Sequence, residues 1–356
     1  MEILSILKNK VISAVEVLEK QEILSSGLNK SLITIEKPKD ESFGELSTNV
    51  SMVLAKDAGI RPRDLAAKIV DILKEDEMIS SIGIAGPGFI NFKLYKKIWI
   101  KLVKKILEDG EKFGFRNIGE NKKVNIEFVS ANPTGPLHVG HTRGAIFGDV
   151  LANLLSNVGF VVTREYYIND AGTQIDSLAR SAHSRYQEAL GKEYNATENE
   201  YPGDYLKTVG QKLKEEFGEK LISISDNNNL EKIKEYTVKI MIDEIKKDLS
   251  DLGVFMDSFV SESSLYKDGK VQEAIDYLTR LGLIYKGVLE KPKGSEDPDW
   301  VEREQDLFKS TMFGDDIDRP IKKIDGSWTY FAPDIAYHYD KIKRDYDEII
   351  DIFGAD

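Results

Sequence analysis

His138 and His141 are the residues whose type and spacing most readily carry chemistry. They close the run Ala131-Asn132-Pro133-Thr134-Gly135-Pro136-Leu137-His138-Val139-Gly140-His141. Two prolines and a glycine between Asn132 and Pro136 cannot continue a strand, so a tight loop is expected there. After His138 the apolar spacing becomes helical. A helix N-terminus offers unpaired N–H groups and the positive end of the helix dipole, which together favour an anion. Histidines three positions apart share one face of the first turn, and both can donate to phosphate oxygens. Gly140 leaves room for a ligand to approach the backbone. The other readings of the pair are buried structural histidines or a metal site. With 4 His and no Cys, a metal would need carboxylates as further ligands, and no spacing supplies them. The phosphate site is the reading that suits a strand–loop–helix context.

Elements must hold that loop. Val124 to Val129 reads as a short strand interrupted only by Asn125 and Glu127. Phe147, Val150, Leu151, Leu154, Leu155 and Val158 then recur as one amphipathic helix face, stopped by Gly159. A second strand is expected over Val161–Ile168, with Asn169 or Asp170 capping the helix that follows. Farther on, Ser327 to Phe331 alternates as a strand, and Ala332-Pro333-Asp334 opens a helix through Tyr337, His338 and Lys341. Proline suits the first turn, which leaves Asp334 beside the positive helix end; by itself that is an aspartate serving its own helix. Ile349 to Phe353 is another strand, running into Gly354-Ala355-Asp356. Glycine there permits close approach of a ligand to the backbone, and the carboxylate can accept hydrogen bonds.

The 356 residues are too many for one ordinary domain, and 41% hydrophobic with 31% charged residues is a globular composition. Residues 1–115 read as a small α/β domain. Its opening helix is amphipathic through Leu4, Leu7, Val11, Val15 and Leu18 and is no signal peptide. Ser47, Thr48 or Asn49 is expected to cap a second helix, Arg61-Pro62 to start a third, and Gly83 to Gly88 to form a turn before a strand over Phe89–Leu94. Lys93 to Lys105 is the most basic stretch and reads as a solvated helix face ahead of an RNA contact. Residues 116–356 hold the nucleotide-binding half, with a charged, mainly helical insertion over about 181–252, broken at Pro202-Gly203 and Asp226–Asn229. Tyr285 to Phe308 is hairpin-like, and Glu290 to Asp299 reads as a mobile loop. No apolar run spans a bilayer. A net charge of −12 argues against binding nucleic acid through bulk electrostatics, but not against a local basic face.

The tetrad His138-Val-Gly-His141 resembles the signature of class I aminoacyl-tRNA synthetases, which related nucleotidyltransferases share. The longer Glu127-Phe-Val-Ser-Ala-Asn-Pro-Thr-Gly-Pro-Leu-His-Val-Gly-His-Thr-Arg-Gly144 resembles arginyl-tRNA synthetases, as do Tyr167-Ile-Asn-Asp-Ala-Gly-Thr-Gln174 and Thr329-Tyr-Phe-Ala-Pro-Asp-Ile-Ala336. Phe43–Val50 and Gly86–Phe92 are similar to that family's N-terminal additional domain, which touches the outer corner of tRNA. The resemblance implies an α/β fold: a Rossmann-like, HUP-type parallel sheet with a helical insertion, preceded by a small α/β domain. It implies L-arginine, ATP with Mg²⁺ and tRNA(Arg) as partners, with no bound prosthetic group. His138 and His141 would stabilise charge on the phosphates, and Gly135, Pro136, Gly140, Gly354 and Asp356 would lie along the ATP. Tyr330 and Asp334 would form the arginine-binding pair, Asp334 taking the guanidinium and Tyr330 lining the stem while its hydroxyl binds another group, with Glu127 a second negative charge, Asn132 at the α-amino end and His138 close by. A cytoplasmic monomer is expected.

Members of the family continue into a K-M-S-K-S-like loop and a helical anticodon-binding domain. No methionine here is followed by Ser-Lys, so the chain reads as the N-terminal portion of a longer ligase, expected to bind the substrates without being fully active. Two alternatives compete: a small-molecule adenylyltransferase, which would lack the N-terminal domain and the Tyr330/Asp334 element, and an arginine- and tRNA-binding module without turnover.

Overall fold

The computed structural model of the protein describes residues 2–194, 200–224, 227–289 and 303–354. The chain divides into Met1–Phe115 and Arg116–Asp356. In the first unit, helix α1 (Glu2–Lys20) buries Leu7, Val11, Val15 and Leu18, the face its spacing predicts. Four strands follow, β1 (Ile35–Glu36), β2 (Leu46–Thr48), β3 (Ile79–Ala85) and β4 (Phe89–Leu94), in the antiparallel order β1-β2-β4-β3. Helices α2 (Val50–Ala58) and α3 (Pro62–Leu73) complete the core, α3 with proline at its first position. Two expectations change here. Ser47 and Thr48 pair with β4, and Asn49 sits at the cap position but spends its side chain on Thr34 N and Leu32 O. Gly83 lies inside β3, so the turn is only Gly86 to Gly88. Helix α4 (Lys96–Asp109) packs Ile98, Trp99 and Leu102 on this core, with its lysines exposed.

The second unit is built on β5 (Lys123–Glu127), α5 (Val139–Asn157), β6 (Val161–Ile168), α6 (Thr173–Ala189), α7 (Tyr205–Phe217), α8 (Asn227–Asp251), β7 (Ser258–Ser261), α9 (Glu262–Lys267) and α10 (Lys270–Arg280). A small hairpin layer, β8 (Ile284–Val288), β9 (Glu304–Phe308) and β10 (Arg319–Pro320), precedes α11 (Phe331–Lys343) and β11 (Glu348–Asp351). Residues 290–299, expected to be a loop, lie outside the described residues. The main sheet runs β11-β5-β6-β7, every pair parallel, so the carboxyl ends of all four strands share one edge. Ligands bind at that edge in sheets of this kind. Val124, Ile126, Phe128 and Tyr166 face α5 and α8, while Tyr167 faces α9, α10 and α11. Helices α6, α7 and α8 share a core of their own around Leu178, Tyr186, Leu206 and Ile233.

Three local readings are corrected. Ser327–Phe331 is no strand; one bridge, Lys322 to Trp328, precedes a helix that already begins at Phe331. Asn169 and Asp170 do not cap α6, which starts after Gly172. Helix α5 buries Ala145, Gly148 and Ala152, whereas Phe147, Val150 and Leu154 are exposed. Close approach decides this: a Cβ on Gly148 would lie 2.2 Å from the Phe128 ring, so the small-residue stripe is the one that meets the sheet.

Candidate active site

The strand β5 ends in a turn of unusual backbone. Val129 and Ser130 have φ of 69° and 38°, a left-handed region that β-branched residues rarely enter. Their conformation is held by Ser130, whose Oγ donates to Glu127 Oε1 (2.8 Å) and accepts from Tyr167 N (3.0 Å). The turn sends Asn132 outward. There its Nδ2 donates to Gln174 Oε1 and its Oδ1 accepts from Asn169 Nδ2, at 3.1 and 2.9 Å. Asn169 is thus a positioning partner of Asn132, a contact across the sheet that no local pattern reveals.

Glu127, Ser130, Asn132, Tyr330, Asp334 and Gly354 line one cavity of about 820 Å³, together with Tyr167, Glu262, Tyr266, Lys323 and His338. Its volume suits a small-molecule ligand. Asp334 stands on the open wall, and the concave protein around it holds its carboxyl above the usual range, with Glu127 adding to the effect and His338 opposing it. Glu262 is more strongly perturbed. Burial first, then the charges of Asp334 and Asp170, push its carboxyl up to about 7. Among the described residues neither Asp334 nor Glu262 forms an ion pair with a lysine or arginine. Two carboxylates lining one cavity, with the charge of Asp334 helping to raise the Glu262 carboxyl, form a site for a cation, and a planar guanidinium is the fork that suits carboxylates best.

Glu262 escaped the sequence reading. It opens α9, whose first turn is fixed by Asp170: Oδ1 accepts from Ser263 N (2.7 Å) and Oδ2 from Ser261 Oγ (2.6 Å). Ser261 in turn caps α9. The only sequence signal was a serine before an acidic residue, which marks any helix start. Glu127 lines the cavity but is not a free acid. It is 3% exposed, and Lys341 Nζ of α11 donates to its Oε2. The same ammonium donates to Asp351 Oδ1 at 2.5 Å. Glu127 therefore faces the cavity as half of a buried ion pair.

His138 and His141 are organised as a reciprocal cap. His138 Nδ1 accepts from Gly140 N (3.1 Å), and His141 Nδ1 accepts from His138 N (3.3 Å). The rings stack with centroids 3.8 Å apart. An Nδ1 that accepts leaves the proton on Nε2, so each ring keeps one outward donor. Burial and the neighbouring His138 lower the His141 pKa. Neither histidine lines the large cavity; His141 borders a smaller one of about 370 Å³ with Leu137, Thr142, Asp248 and Asp251. Gly135, Pro136 and Gly140 are outside the large cavity too. Asp356 lies outside the described residues. No group of three or more His, Cys, Asp or Glu able to hold a metal occurs among the described residues.

Residues 2–94 match the family described as the arginyl tRNA synthetase N terminal domain, and residues 102–353 the class I (R) tRNA synthetase catalytic domain. The chain belongs to the arginyl-tRNA synthetase family. A Jannaschia relative named arginine–tRNA ligase is 52% identical over 98% of this chain and 61% of its own length. A Paracoccus denitrificans protein of the same name is 51% identical over 100% and 61%. In fold, the crystal structure of arginyl-tRNA synthetase from Plasmodium falciparum superposes with a TM-score of 0.65 at 19% identity, covering 99% of this chain and 59% of that one. This family member thus spans about 61% of the curated relatives it matches. Among the described residues no helix is long and apolar enough to cross a membrane.

Proposed function

We propose that the chain carries the arginine-activating part of an arginine–tRNA ligase. One observation supports the substrate most directly: Glu262 and Asp334 face one cavity at the carboxyl edge of the parallel sheet, with Tyr330 at its mouth and Asn132 on the sheet side. A guanidinium between the two acids would lie away from the sheet, leaving the α-amino end to Asn132 and the substrate carboxylate toward the histidine loop. That carboxylate attacks the ATP α-phosphorus, pyrophosphate leaves, and arginyl-adenylate remains for transfer to the terminal adenosine of tRNA(Arg). The Nε2–H groups of His138 and His141 and the N-terminus of α5 stabilise charge on the phosphates without moving a proton. Mg²⁺ would come with ATP, held by its phosphates. The same reading places the protein in the cytoplasm as a monomer, with Gly354 beside the adenosine.

Citrulline is nearly the shape of arginine without its charge, so it would leave Asp334 and Glu262 unpaired. Calorimetric titration with L-arginine, citrulline and ATP tests this, with Asp334→Ala in parallel. Arginine is expected to bind and citrulline not. The variant should bind arginine about thirtyfold more weakly or worse, since truncating one partner of a desolvated charge pair costs about 2 kcal/mol or more, while ATP binding persists. Equal affinity for arginine and citrulline would overturn the assignment.

A further inference from the structure

The loop between β5 and α5 is held almost wholly from outside itself. Pro133 and Pro136 have no N–H, and among the described residues no backbone–backbone hydrogen bond involves Ala131 to Leu137. Two phenols take its carbonyls instead. Tyr166 of β6 donates to Ala131 O at 2.8 Å, and Tyr205 donates to Thr134 O at 2.5 Å. Tyr166 belongs to the sheet. Tyr205 does not: it is the first residue of α7, in the helical layer inserted after α6. Leu206, Val209 and Leu213 root α7 in the core of that layer. Tyr201 N, just before it, donates to Ser181 Oγ of α6 at 2.9 Å.

The fit around the phenol is close. Its hydroxyl lies 3.7 Å from where a Cβ on Gly135 would be, so the ring covers the loop at the residue before Pro136. On its other side a Cβ on Gly203 would lie 2.1 Å from the ring, so glycine there is what lets the ring lie back against its own chain. Half-burial of the ring agrees with a hydroxyl whose pKa is raised to about 12, a donor at every physiological pH. Asn132, hydrogen-bonded to Gln174 at the start of α6, is a second tie between this layer and the loop.

We infer that Tyr205 is a positioning residue: the helical layer α6–α7 sets, through Tyr205 and Thr134, where the His138–His141 cap sits. The loop has no internal ladder to resist displacement, so a shift of α7 is passed to His138 and His141, four and seven residues beyond Thr134. This deepens the reading proposed above, and its consequence for ATP rests on that reading; its consequence for the imidazoles does not.

Tyr205→Phe keeps the ring and removes the donor. With 4 His in the chain, the ring nitrogens of His138 and His141 can be followed individually by long-range ¹H–¹⁵N NMR. Both are expected to shift in the variant while the melting temperature changes little. ATP affinity should fall about fivefold, the equivalent of one hydrogen bond, with L-arginine affinity unchanged. Gly203→Ala, which pushes the ring forward, should shift the same imidazoles. Unmoved imidazole signals in Tyr205→Phe would overturn the inference, including where the variant melts earlier, because the phenol would then serve only the helical layer. Shifted signals with no ATP binding by either protein would leave the positioning role standing and refute the nucleotide reading instead.

Discussion

Glu262 is the carboxyl of the cavity that stands farthest above its ordinary range. Its pKa of about 7 arises from burial and from the neighbouring acids, so a cation bound between Glu262 and Asp334 must lower it. Binding at pH 7 should then release protons, seen as a calorimetric heat that varies with the ionisation enthalpy of the buffer. Only the ionised form can pair, so arginine affinity should rise about tenfold from pH 6 to pH 8. Glu262→Gln should flatten that dependence. The stability of the free protein runs the opposite way. A raised folded pKa means the folded state holds the proton more tightly than the unfolded chain. The contribution of Glu262 is therefore full below its usual 4.5 and is lost as pH rises through about 7. L-arginine should accordingly raise the melting temperature more at pH 8 than at pH 6. A ligand-induced shift independent of pH would remove Glu262 from the site.

At the scale of elements, the proposed function asks the N-terminus of α5 to serve both its helix and the ATP phosphates with the same two rings. His138→Asn separates these duties, because asparagine is a strong cap but cannot place a donor where Nε2 stood. Stability should be nearly unchanged, while adenylate formation, assayed by pyrophosphate exchange in a full-length version, should fall on the order of a hundredfold, as when one oxyanion donor is removed. An Asn variant with wild-type exchange would make the rings mere caps. Acid should loosen this start: the lowered His141 pKa means the unfolded chain binds the proton more readily, so its contribution is lost as pH falls from 6.5 through the folded value. A second joint ties α11 to two strands, where Lys341, 0% exposed, bridges Glu127 of β5 and Asp351 of β11. Lys341→Met should cost about 3–5 kcal/mol in urea denaturation by stranding buried carboxylates, and adding Glu127→Gln should recover part of it. Both joints mark the limit of what the sequence discloses. The strand, the proline-broken loop and the helix start of β5–α5 were legible because each obeys a local rule. Asn169 reaching Asn132, Lys341 reaching Glu127 and Glu262 reaching the cavity were not, because each joins residues far apart in the chain. Helix α5 misled the pattern reading for a related reason: its large apolar residues drew the eye, while the sheet required its small ones.

At the scale of the whole molecule, the apolar cores divide as the chain does. The core of the first unit is made only of residues between Ile3 and Leu94, and every cluster of the second unit begins at Val124 or later. Among the described residues, no buried apolar side chain belongs to both. The short strands β1 and β2 were not legible in the sequence, since two or three residues become a strand only when a neighbour pairs with them, β2 with β1 and β4 with β2. A unit of 115 residues with its own sheet and three buried helix faces lies within the size at which single domains fold alone. Unfolding of the whole chain should then proceed in two steps, because each core can melt without exposing the other. A fragment of residues 1–115 should melt cooperatively at the midpoint of one of those steps, with a urea dependence proportional to its own buried surface. L-arginine should raise only the other step, since its proposed cavity is lined entirely from the second unit. One concerted transition, with fragment 1–115 unfolded by itself, would show that the two cores depend on each other for stability.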